Sequence, residues 1–281
     1  MKRYLNLIIL GMISLPLIAQ DAPTPEFGWK KEAVGGLNLT QTSFDNWTAG
    51  GENSLAWQVN FNFKVVNDLE KTNWATSGKL AYGSIKQNKG DARKSVDEIK
   101  LESIYKYKLG TYVNPYTAFN AHTQLTATYS YATDPRTQIS AFMDPGYFRE
   151  SIGVGYQLEE TVKTRLGLSF KQTITSDYPV PYADDPETAE IEKTRSEVGM
   201  ESVTDLNLIL AENTKLTSKL ELFTAFQGFD ATDVDWDNTL TTKINEYFNM
   251  NFNVKLLYDK DLSARRQINQ SLAFGLTYTF L

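Results

Sequence analysis

The sequence predicts an all-β fold: a transmembrane, antiparallel up-and-down β-barrel of about twelve strands. Three observations predict it. Residues 268–280 place Ile268, Leu272, Phe274, Leu276, Tyr278 and Phe280 on one parity and Ser271, Ala273, Gly275, Thr277 and Thr279 on the other. Comparable period-2 segments recur along the chain. Long and short connections between those segments alternate. In a strand the side-chain period is two, so such a segment turns one face to lipid and the other to a wet lumen.

The segments follow in order. The first is expected at 29–41. The second, at 54–66, sets Leu55, Trp57, Val59, Phe61, Phe63 and Val65 against Ala56, Gln58, Asn60, Asn62 and Lys64. After 73–85, the fourth (96–108) alternates Ile99, Leu101, Tyr105 and Tyr107 with Glu98, Lys100, Glu102 and Lys106. Strands at 115–131 and 147–158 precede 161–174, where Val162, Leu166, Leu168, Phe170 and Ile174 alternate with Lys163, Arg165, Ser169 and Lys171. Strands at 196–210, 214–227, 233–245, 247–258 and 268–281 complete the set. Each is near or above the roughly 9–11 residues a tilted membrane strand needs. Short turns are expected at 67–71, 109–114, 159–160, 211–213 and at Glu246. The longer connections are 42–53, 86–95, 132–146, 175–195, 228–232 and 259–267.

The chain ahead of the barrel reads as an export signal. Lys2 and Arg3 precede an apolar run from Leu5 to Ile18, followed by Ala19 and Gln20. That order is the basic, apolar and small-residue pattern of a secretory signal peptide. The expected organisation is a signal peptide at 1–20, a short periplasmic leader at 21–28 and a barrel at 29–281. No cysteine occurs, which excludes disulfides, thiolate nucleophiles and a lipoprotein anchor. An even strand number then returns the C-terminus to the periplasm, with the long loops outside the cell. The expected location is the outer membrane of a Gram-negative envelope, and the expected partners are outer-membrane lipid and the barrel-assembly machinery. A net charge of −6 without a basic stripe argues against nucleic acid. A soluble β-sandwich is the competing fold, because two sheets can also bury one apolar face each.

Aromatic residues at strand ends suggest two interfacial girdles. Trp74, Tyr107, Tyr116, Tyr156 and Phe280 are expected at the periplasmic end, and Tyr129, Tyr131, Tyr147 and Phe148 at the outer end.

Little in the sequence points to catalysis. The one histidine, His122, has inward parity and no serine at a useful local spacing. Ser103 and Lys106 spell a nucleophile–lysine motif that works on a helix, but three residues apart on a strand they face opposite ways. Asp233, Asp235, Asp237 and Asn238 begin like a calcium loop, which then fails at its glycine and glutamate positions. The acidic, proline-bearing loop 177–195 is expected to be extended and solvated. No cofactor and no metal is expected. The polar parity supplies candidate lumen-lining residues of both signs: Glu98, Lys100, Glu102, His122, Lys163, Arg165, Lys171, Glu197, Glu201, Lys215, Lys219 and Asp235. Mixed signs predict ion pairs across the lumen rather than a single-sign selectivity ring.

The stretch Gln41–Ser54 is distinctive. It contains Phe44, Asn46, Trp47, Gly50 and Gly51, which would anchor, plug or turn the first long loop. It resembles the opening motif of a Bacteroidetes outer-membrane family known as domain of unknown function 3078. Trp74 with Leu80-Ala81-Tyr82-Gly83, then Phe142-Met143-Asp144-Pro145-Gly146-Tyr147-Phe148, then Leu257-Tyr258-Asp259-Lys260-Asp261 are similar to it too. The resemblance implies a signal-bearing outer-membrane barrel and lends no catalytic residue. The functional expectation is a porin-like channel for small polar solutes. The alternative is a plugged structural or surface-interaction barrel. An outer-membrane lipid-modifying enzyme would need a nucleophile–base pair that the sequence does not offer, so the chain is not expected to be an enzyme.

Overall fold

In a computed structural model, the described residues are 27–43, 52–132, 135–186, 188–227, 232–260, 262–263 and 265–280. Among them every regular element is a strand. In chain order these are β1 (Gly28–Thr42), β2 (Ser54–Asp68), β3 (Thr72–Gln87), β4 (Arg93–Tyr107), β5 (Val113–Thr123), β6 (Thr128–Ser130), β7 (Thr137–Ser140), β8 (Gly146–Leu158), β9 (Val162–Ile174), β10 (Thr194–Ala211), β11 (Thr214–Ala225), β12 (Thr232–Lys243), β13 (Phe248–Tyr258) and β14 (Gln267–Thr279). Twelve of them close into one antiparallel barrel in the order β1-β14-β13-β12-β11-β10-β9-β8-β5-β4-β3-β2, and β6 pairs only with β7. Every neighbour in the barrel is a neighbour in sequence, apart from the β6–β7 insertion and the β1–β14 closure.

The polarity is that of a transmembrane barrel, inside out relative to a soluble fold. Leu39, Val59, Ile152, Val154, Leu166, Leu168, Met200, Leu272 and Phe274 are all exposed on the outer wall. The buried side chains include Glu98, Asn114, Ser151, Arg165, Ser169, Glu197 and Glu201, while Ala81, Val203 and Phe223 are among the few buried apolar ones. A sandwich would bury the large apolar face between its sheets. An apolar belt this extensive is stable only against lipid. Pairing with neighbours also satisfies backbone groups along most of the wall, as lipid requires. Two outward tryptophans satisfy their indole N–H on the wall itself: Trp74 donates to Ser103 Oγ at 2.9 Å and Trp236 to Ser218 Oγ at 3.0 Å.

The strand bounds match expectation to within a few residues, with one correction. The strand expected at 115–131 ends in the barrel at Thr123, and Thr128–Ser130 belongs to the small β6–β7 sheet. The Asp97 carboxylate captures the amides of Leu125 and Thr126 at 2.7 and 2.9 Å, which takes them off the ladder. Connections 69–71, 108–112, 159–161, 212–213 and 244–247 share one end of the barrel, and the β5–β8 and β9–β10 loops share the other. The β3–β4 turn at 88–92 is short, contrary to the expected long connection there. Exposed Trp29, Trp74, Tyr107, Tyr112 and Tyr156 form the girdle at the short-turn end. Tyr116 and Tyr147 do not join a girdle. They share the parity of inward residues: Tyr116 is buried and Tyr147 stacks on His122. The segments expected to be a signal peptide and most of a leader, residues 1–26, and Phe44, Asn46, Trp47, Gly50 and Gly51 lie outside the described residues.

Candidate functional site in the barrel lumen

The inward parity brings charged side chains from eight strands together. In barrel order β4 and β11 are separated by β5, β8, β9 and β10, so contacts between them cross the lumen. Glu102 on β4 accepts from Arg165 Nη2 on β9 at 2.6 Å and meets Lys219 Nζ on β11 at 3.1 Å. Lys219 also meets Glu221 at 3.3 Å, and Arg149 Nη2 meets Glu221 at 3.2 Å.

Beneath this pair lies Glu201, only 1% exposed. Its carboxylate accepts from Ser151 Oγ at 2.6 Å and Tyr116 OH at 3.1 Å, with Arg165 Nε at 3.5 Å and Arg149 Nη1 at 3.8 Å. Arg165 Nε makes no hydrogen bond and is held by that charge alone. Tyr116 reaches Glu201 because residue 167 is glycine. A Cβ there would sit 2.6 Å from the Tyr116 hydroxyl and 2.5 Å from the Ile152 carbonyl oxygen. A buried charge is tolerable only when paired and hydrogen-bonded, and Glu201 meets both conditions.

A second cluster joins other walls. Glu98 on β4 meets Lys79 on β3 at 2.8 Å, Lys100 at 3.1 Å, Lys255 on β13 at 3.8 Å and His122 Nε2 at 3.9 Å. Asp235 on β12 meets Lys255 at 3.2 Å and Lys100 at 3.6 Å. The third cluster centres on Lys171, with Asp233 at 2.6 Å, Glu197 at 3.4 Å and Asp259 at 3.7 Å. Its ammonium also stands 5.3 Å from the Phe223 ring centroid. Beside the bridges a cavity of about 500 Å³ remains, lined by Lys100, Glu102, His122, Asp205, Lys219 and Asp235 on one side and Glu32, Asn62, Lys64 and Lys79 on the other.

Of the residues expected to line the lumen, Glu98, Lys100, Glu102, His122, Arg165, Lys171, Glu197, Glu201, Lys219 and Asp235 fall in these clusters. Two stand apart. Lys163 pairs at 2.6 Å with Glu160 in the β8–β9 turn, and Lys215 is exposed beside the 212–213 turn. The sequence-based list lacked Lys79, Arg149, Glu221, Lys255, Tyr116 and Ser151. Each lies on the inward parity of its strand, and that parity was the available signal. Asp233, Asp235 and Asp237 form no calcium site. The first two face separate lysines, and Asp237 accepts from Asn253 Nδ2 at 2.6 Å. Among the described residues no group of histidines and carboxylates is arranged to hold a metal ion.

Over the end opposite the short turns, the β9–β10 loop is folded rather than extended, which corrects the expectation. Asp144 accepts the amides of Ser176 and Asp177 at 2.9 and 2.7 Å. Burial pushes the Tyr182 hydroxyl up from its ordinary range. At the exposed tip, Thr188 Oγ1 donates to Glu192 at 2.6 Å, and this bond holds the Glu192 carboxyl below the usual carboxylate range.

Comparison with known proteins adds the following. The chain is similar in structure to the translocator domain of autotransporter NalP from Neisseria meningitidis, at 11% identity and a TM-score of 0.41, over 91% of this chain and 90% of that one. It is similar to the COG4313 outer membrane channel from Pseudomonas putida F1 at 11% identity and a TM-score of 0.42, over 92% and 98%. The NanC porin gives 8% and 0.40, over 88% and 98%. At such identities and TM-scores nothing about activity is taken from them. No curated protein matches the chain. Residues 39–129 match the family model described as Protein of unknown function (DUF3078), which bears out over that stretch the resemblance carried by the motifs.

Proposed function

We propose that this is an exported outer-membrane barrel that passes small polar solutes through a narrow, off-centre path, with its short turns toward the periplasm. The observation that carries this reading is the cavity of about 500 Å³ beside the cross-lumen bridges, whose lining includes lysines, carboxylates and asparagines from several strands. Mixed signs suit weak binding of polar solutes, which a passage needs if they are to leave again. No step of this reading calls on catalysis, a cofactor or a metal. The test is conductance in planar bilayers of protein refolded from Gln20 onward: discrete small steps support it. A second reading, a plugged structural or interaction barrel, is favoured by one specific observation. Lys219–Glu102 and Lys100–Asp235 tie opposite walls together at 3.1 and 3.6 Å. Silence from folded protein would select it.

A further inference from the structure

The barrel closes through only part of its last seam. β1 and β14 are in register from Val34↔Thr279 to Asn38↔Gly275. Beyond Asn38 both strands continue, because β1 stays paired with β2 out to Thr42↔Ser54 and β14 with β13 out to Leu257↔Gln267. Yet among the described residues Leu39–Thr42 and Gln267–Phe274 do not pair with each other. Two formed strands thus face each other with unmatched edges in the half of the wall nearer the long loops. Along this stretch Leu39, Leu272 and Phe274 have outward parity and Thr40 and Ser271 inward parity, and all five are exposed. Open backbone edges are not tolerated against hydrocarbon unless something polar reaches them.

We infer that the outer half of the β1–β14 seam is a lateral opening between lumen and bilayer, which admits an amphiphile with an acyl tail. Its rim has the matching chemistry. The side toward lipid is apolar at Leu39, Leu272 and Phe274, and the side toward the lumen carries uncharged hydrogen-bonding groups at Thr40, Asn269 and Ser271. A tail lying against the first set leaves a head group among the second and beside the free backbone groups. The inference rests on the membrane-barrel reading and not on conduction.

The absence of cysteine makes the test clean. Single variants Ser271→Cys, Val59→Cys and Thr217→Cys are refolded in phosphatidylcholine vesicles containing a phospholipid with a maleimide at the end of one acyl chain. Labelling is scored only in the heat-modifiable, folded band. Val59 is outward and reports lipid contact; Thr217 is inward and four strands from β1. Ser271→Cys is expected to label about five-fold faster than Thr217→Cys, despite its inward parity. Equal rates for those two overturn the opening. Ala273→Cys serves in the same comparison if Ser271→Cys does not fold. Failure of Val59→Cys to label would instead strike at the membrane reading, and a silent planar bilayer would leave the labelling result standing.

Discussion

Glu201 illustrates what a buried charge needs inside a lipid-enclosed wall. Its oxygens are met by Ser151, Tyr116 and two guanidinium groups, and the Nε of Arg165 has no other partner. Glu201→Gln keeps the volume but removes the charge, so the loss should be about 3–5 kcal/mol in urea unfolding from vesicles. Glu201→Gln with Arg165→Met should recover most of it, because Gln still accepts from Ser151 and Tyr116 and Lys219 still serves Glu102. A single-variant loss below about 1 kcal/mol would contradict the role given to this pair. Gly167→Val places a branched side chain where the Tyr116 hydroxyl and the Ile152 carbonyl now sit. It should lower the temperature at which the folded gel band disappears. In the β9–β10 loop, the Glu192 carboxyl is held below its ordinary range by the Thr188 hydroxyl. A depressed carboxylate stabilises above its unfolded value and loses that contribution as pH falls through its folded one. Hydrogen exchange at the Asp185 amide, a donor to Glu192 at 3.2 Å, should therefore stay slow at neutral pH. Its protection should drop only below the usual carboxylate range.

At the scale of the strand, the capture of two amides by Asp97 ends β5 and starts the β5–β8 excursion. Asp97→Ala strands those donors, and hydrogen exchange at Leu125 and Thr126 should accelerate by roughly tenfold or more, the equivalent of about 1–3 kcal/mol. Unchanged exchange would mean the excursion is held by other contacts. The same segment explains what the sequence did and did not disclose. Strand existence and bounds were legible because lipid on one face and water on the other impose a period of two on each wall-crossing segment. The end of β5 was not, because Leu125, Tyr129 and Tyr131 continue the apolar parity while a carboxylate twenty-eight residues upstream removes the chain from the ladder. Tyr116 and Tyr147 were misplaced for a related reason. An aromatic near a strand end suggests an interface, but its parity decides the face, and both share theirs with His122 or Arg149.

For the whole molecule, the lumen residues were legible as a set of opposite charges, but their pairing was not. Which wall meets which depends on barrel order, and Glu102–Lys219 joins positions 117 apart in sequence. That pairing determines the predicted behaviour of the path. Lys100→Ala with Lys219→Ala cuts ties between β4 and the β11–β12 wall. In a conducting barrel it should widen the passage and roughly double single-channel conductance. The most direct measurement is therefore made on the parent chain: the folded, heat-modifiable species placed in a planar bilayer. Stable, discrete, small conductance steps are expected. Folded protein that leaves the bilayer silent would contradict the channel and mark the cross-lumen bridges as a permanent plug.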